Sequence, residues 1–93
     1  MDNEVIQQKL KVSNELGLHA RVATMIVQKM QKYTCTVTLV LHEVEVSARS
    51  VLGLLLLAAA PGTEVVVKAK GPGAREAIED IRRLIQDEQP ELN

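Results

Sequence analysis

Along this chain the apolar residues change their spacing, from every second residue to every third or fourth and back again. That switching restricts the fold to mixed strand and helix, because the two periods bury different faces. From Ile6 to Val12, the residues Ile6, Gln8, Leu10 and Val12 share one side, and Gln7, Lys9 and Lys11 the other. This reads as a strand with one wet face. Ser13 to Leu18 is a loop, in which Gly17 can take a positive φ. From Ala20 the period lengthens: Ala23, Ile26, Val27 and Met30 fall on one stripe of a helix that should end near Lys32 or Tyr33. Lys29 and Lys32 suit the negative end of that helix.

Cys35, Val37, Leu39 and Leu41 alternate with Thr36, Thr38 and Val40, and Val44 and Val46 alternate with Glu43, Glu45 and Ser47. These runs predict a hairpin that turns near His42 and Glu43, without the Gly or Asn that usually fixes the turn type. Ser50 can cap a short second helix from Val51 to about Ala59, stopped by Pro61 and Gly62. Val65, Val67 and Ala69 mark a fourth strand, closed by Gly71-Pro72-Gly73. Ala74, Ala77, Ile78, Ile81, Leu84 and Ile85 form the stripe of a last helix, and Gln89 to Asn93 reads as a frayed tail. The expected fold is α+β, an open-faced βαββαβα sandwich with a four-stranded antiparallel sheet and three helices on one face. With 93 residues and no internal repeat, residues 1–93 are read as one domain. Such a layout hosts many activities, so function has to come from particular residues.

Composition excludes several classes. Tyr33 is the only aromatic residue, which leaves no platform for stacking bases. The formal net charge is -1 and no basic run exists, so nucleic acid is not an expected partner. Cys35 is the single cysteine, so neither an intramolecular disulfide nor a cysteine-based zinc cluster can form. No cofactor or metal is expected. Met1 to Glu4 is acidic, unlike a secretory signal, and the apolar run Val51 to Pro61 is about half the roughly 20 residues that span a bilayer. A soluble, cytoplasmic domain is the expectation. His42, at a turn, reads as solvated, and Cys35 as buried and inert.

Gly17-Leu18-His19-Ala20-Arg21 is where chemistry can reside. A histidine stands at the start of a helix whose first amides have no intrahelical acceptor. Those amides and the helix dipole make an anion site, and Arg21 can add a forked donor for phosphate oxygens. Neutral imidazole is a competent nucleophile near neutral pH. From the residues alone, a solvated histidine or a plain helix cap stays open as the simpler reading.

The same stretch resembles the active-site signature of the HPr family, the histidine-containing phosphocarriers of the sugar phosphotransferase system. Ala48-Arg49-Ser50-Val51-Leu52-Gly53-Leu54-Leu55 resembles the family's regulatory-serine segment, and the resemblance covers Ile6 to about Asp87. It implies that His19 accepts a phosphoryl group from Enzyme I and donates it to a sugar-specific Enzyme II component, most simply as a monomer. Arg21 and the amides of Ala20 and Arg21 would hold the phosphate, and Val22, where the family has a proline that lacks the N–H, adds an amide of its own. Ser50 would be the target of a regulatory serine kinase and phosphorylase, and Val51, Leu52 and Leu55 would dock Enzyme I. The protein would then be a substrate of enzymes, not an enzyme.

Departures from the pattern keep alternatives open. Val22 replaces the usual proline, Leu16 the usual Asn or Ser, and Glu15 adds negative charge near the site. Gln28, Gln31 and Gly53 stand where basic residues are common, which thins the positive surface offered to a partner. A regulatory relative acting through Ser50 and protein binding without relay is the second reading. A generic α/β ligand-binding module is the third.

Overall fold

The computed structural model describes residues 4–86. The elements are β1 (Val5–Lys11), α1 (Ala20–Met30), β2 (Thr36–Leu41), β3 (Val44–Ser47), α2 (Val51–Leu57), β4 (Glu64–Lys70) and α3 (Ala74–Gln86). The expected βαββαβα order holds. All strands are antiparallel, in the order β1-β4-β2-β3, with Leu10 opposite Val65 and Val37 opposite Ala69. The tail read as frayed, Gln89 to Asn93, lies outside the described residues.

The alternation in β4 explains its place inside the sheet. Val65, Val67 and Ala69 are all buried, and they meet Leu10 of β1 and Val37 and Leu39 of β2. The edge strands are looser: Val5 in β1 and Val44 in β3 are half exposed. Against the inner face lie Val22, Ala23, Ile26 and Met30 of α1, Leu54 and Leu57 of α2, and the predicted stripe of α3. Cys35 is buried in this core, as its alternation suggests, and His42 is exposed. On the open face, Lys9 approaches Glu64 and Lys68 approaches Glu45 at 4.0 Å, exposed pairs that add little stability.

Two helices end earlier than their spacing predicts. After Met30 the chain tightens, with the amides of Gln31, Lys32 and Tyr33 bonding carbonyls three residues back. The second helix stops at Leu57 and not near Ala59, with Ala58 in the left-handed region at φ 52 and ψ 41. Proline at 61 keeps Ala60 out of the helical region, and the Ala59 carbonyl is engaged by the Leu18 amide at 2.9 Å. Alanine is strained in that conformation and glycine is not. Ala58→Gly is therefore expected to stabilise the fold by about 0.5–1 kcal/mol, read as a rise of a few degrees in Tm.

Tyr33 closes the α1–β2 loop. Its hydroxyl donates to Asp80 Oδ2 at 2.5 Å, and a side chain at Gly73 would place a Cβ 3.0 Å from its ring. Burial, then the bond to Asp80, pushes the phenol pKa up to about 12. The folded value lies above the ordinary 10.0. Its contribution is therefore complete below pH 10 and is lost as pH rises from about 10 to 12. With no other tyrosine or tryptophan in the chain, absorbance at the phenolate band should titrate near 12 in the folded protein. Tyr33→Phe should remove that loss of stability.

Candidate functional site

The loop from Val12 to Leu18 is fixed from two sides. On one, Ser13 N–H donates to Ile85 O at 3.0 Å and Asn14 Nδ2 to Leu84 O at 3.2 Å, both at the end of α3. On the other, Gly17 lies flat against the segment after α2. Its φ is 73, and a Cβ there would come within 2.5 Å of Ala59 O. Leu18 N–H then donates to that same carbonyl, and the Leu18 side chain is buried. The next residue, His19, follows from a backbone that has little freedom to drift.

His19 is the N-cap of α1, extended at φ -105 and ψ 179. Its carbonyl accepts from Ala23 N–H at 2.9 Å, and its Nδ1 accepts from Arg21 N–H at 3.3 Å. An accepting Nδ1 carries a lone pair, which puts the proton of a neutral ring on Nε2. The helix start also leaves the amides of Ala20 and Val22 without an intrahelical acceptor. Val22 does not disturb the helix: its side chain is buried and α1 runs on unbroken. His19 is half-buried, and Arg21 is exposed with no ion pair among the described residues. So His19 is both a helix cap and a reachable imidazole, with Nδ1 directed at the amide-rich helix start. Leu16 is exposed and offers the ring no hydrogen bond, and Glu15 is exposed on the same loop.

Residues 6–87 match the family model described as the PTS HPr component phosphorylation site. The chain belongs to the HPr family. That model describes a phosphorylation site, and relatives of the chain include phosphocarrier proteins. The chain is 38% identical over 84 residues to the HPr-like protein Crh of Bacillus subtilis, covering 90% of this chain and 99% of the relative. It is 36% identical over 83 residues to the phosphocarrier protein HPr of Xylella fastidiosa, covering 89% and 93%. The crystal structure of a phosphocarrier protein HPr from Bacillus anthracis superposes with a TM-score of 0.85 at 28% identity, covering 90% of this chain and all of that one.

The second segment of this HPr-family chain begins at Ser50, the N-cap of α2. Its Oγ accepts from Gly53 N–H at 2.9 Å. A Cβ at Gly53 would stand 3.1 Å from that oxygen, so the glycine leaves the hydroxyl room. Of the expected docking residues, Leu52 is open to solvent, whereas Val51 and Leu55 are half-buried and pack partly on the core. Leu56 is as exposed as Leu52, and sequence reasoning missed it. The signal was its position four residues after Leu52, on the same helical face. Among the described residues no helix is long and apolar enough to cross a membrane.

Arg49 has a job that its place beside Ser50 did not suggest. Its guanidinium donates to Cys35 O at 2.9 Å, Met30 O at 3.1 Å and Tyr33 O at 2.7 Å. One cation thereby ties the end of α1 to the start of β2, where the helix dipole favours positive charge. Arg49→Met keeps the stem but orphans these carbonyls, and is expected to cost about 2 kcal/mol in urea unfolding. Arg49→Lys should recover about half, since an ammonium cannot span the same fork.

Proposed function

We propose that this chain is a phosphoryl carrier of the phosphoenolpyruvate-dependent sugar phosphotransferase system. His19 takes the phosphoryl group from Enzyme I and passes it to sugar-specific Enzyme II A components. The observation that carries this reading is the Nδ1 lone pair of a half-buried histidine aimed at the first amides of α1. In the transfer, Nδ1 attacks the phosphorus of phospho-Enzyme I, the N–P bond forms as the donor bond breaks, and the Nε2 proton stays in place. The Arg21 amide then turns from Nδ1 to a phosphate oxygen. The amides of Ala20 and Val22 and the Arg21 guanidinium supply further donors. Each partner enzyme contributes the remainder of the in-line site, so the carrier acts by positioning. It works in the cytoplasm as a monomer, because a relay presents the same face to two partners in turn. Leu52, with Val51 and Leu55 beside it, provides the apolar part of that face, and residues 1–93 act as one domain.

The test is incubation with phosphoenolpyruvate and the cognate Enzyme I, followed by assay for acid-labile phosphate. Label that is lost in His19→Ala and slowed in Arg21→Ala supports the relay. Absence of label in the unaltered chain overturns it.

A second reading has its own support, the 38% identity to the HPr-like protein Crh. Under it, Ser50 is phosphorylated and the protein acts by binding others without relaying phosphate. A phosphate on Ser50 sits at a helix N-terminus, where negative charge is locally tolerated, so its effect falls on partner docking. Acid-stable label on Ser50 together with no label on His19 would select this reading.

A further inference from the structure

Behind the loop that leads to His19, a groove of about 520 Å³ opens between the end of β1 and the last turn of α3. Among the described residues Lys11, Ser13, Arg82, Arg83 and Gln86 line it: three cations, a hydroxyl and a primary amide, with no carboxylate among them. Glu79 stands beside the arginines. Arg82 donates to it through Nε and Nη2, and Arg83 Nε lies 3.5 Å from Oε2. One carboxylate offsets one of the three charges and fixes the direction of the Arg82 fork, which leaves an excess of two positive charges among the described residues. A helix C-terminus ordinarily repels anions. Here that effect is muted, because Ser13 N–H and Asn14 Nδ2 already engage the Ile85 and Leu84 carbonyls.

We propose that this groove is a binding site for a small polyanion with clustered phosphate groups, of which a triphosphate chain is the simplest case. Its volume falls within the range of small-molecule sites, roughly 300–1,000 Å³. The Arg82 fork is held by Glu79, and the donors without a partner among the described residues are the terminal nitrogens of Arg83 and the Lys11 ammonium, both of kinds that read phosphate oxygens. The site does not depend on the relay at His19. Ser13 in its wall is nonetheless bonded to α3 through Ile85 O, so an occupied groove touches one of the residues that hold the His19 loop.

The experiment is an amide-resolved NMR titration of the full chain with inorganic tripolyphosphate at about 0.1 M salt. Saturable shifts at Lys11, Ser13, Arg83 and Gln86 are expected. Lys11→Gln with Arg83→Gln should weaken binding by about tenfold or more, while Lys11→Arg should hold the affinity. Both side chains are exposed, so the fold should survive, and far-ultraviolet circular dichroism verifies that. Shifts that grow linearly without saturating overturn the proposal. So do saturable shifts confined to Ala20, Arg21 and Val22, or a double variant that binds as tightly as the unaltered chain.

Discussion

His19→Asn is expected to take acid-labile phosphate from Enzyme I down to background while leaving the unfolding midpoint within about 0.5 kcal/mol of the unaltered chain. The pairing of those outcomes matters more than either alone. His19 caps α1 through Nδ1, so His19→Ala removes a nucleophile and a cap together and should also cost about 1 kcal/mol of stability. Asparagine keeps an accepting oxygen at the cap position and cannot carry a phosphoryl group on an imidazole. If His19→Asn still took acid-labile label, the phosphate would sit elsewhere and the relay reading would fall. If both variants lost only stability and the unaltered chain never took label, His19 would be a cap and nothing more.

The place of His19 at the start of α1 shows where sequence reasoning reaches and where it stops. The period switches specified every element except α2, which was legible from its serine cap and its Pro-Gly stop, because each of the others buries a face whose spacing is set by backbone geometry: the stripe of α3 is buried residue for residue as read. Strand order was not legible, since nothing local in β1 or β2 says that β4 will insert between them. The end of α2 was misjudged for a related reason. Ala58 and Ala59 are good helix formers, and only the distant Leu18 amide and the turn toward Pro61 draw the chain out of the helix. Arg49 is the clearest case. A basic residue next to a serine invites a reading in terms of recognition, yet its three acceptors belong to residues 14 to 19 positions away in sequence. Asn14 likewise gave no signal of its tie to Leu84, 70 positions on. His19 and Arg21 stood out because their chemistry is local, a nucleophile and a cation within one helical turn of free amides. The exposure of Leu56 and Leu16 depends on what does not pack over them, which a one-dimensional pattern does not encode.

Gly17→Ala should strike the site and the fold together. At φ 73 an alanine is strained by about 1–2 kcal/mol, and a Cβ only 2.5 Å from the Ala59 carbonyl oxygen cannot be housed without backbone movement. That oxygen is also the acceptor for Leu18 N–H, so displacing it weakens the bond that leads directly into His19. Strain and overpacking together should cost about 2–4 kcal/mol, a large part of the stability of a chain this size, and lower Tm by about 10–25 °C. At temperatures where the variant stays folded, phosphate uptake should still be slow, because a loop shifted by even an ångström moves Nδ1 off its line with the α1 amides. Measuring Tm and the initial rate of labelling on the same samples separates the two effects. A variant within about 1 kcal/mol of the unaltered chain would mean that the contact with Ala59 relaxes freely, and the loop would then lack the fixed geometry on which the reading of His19 depends.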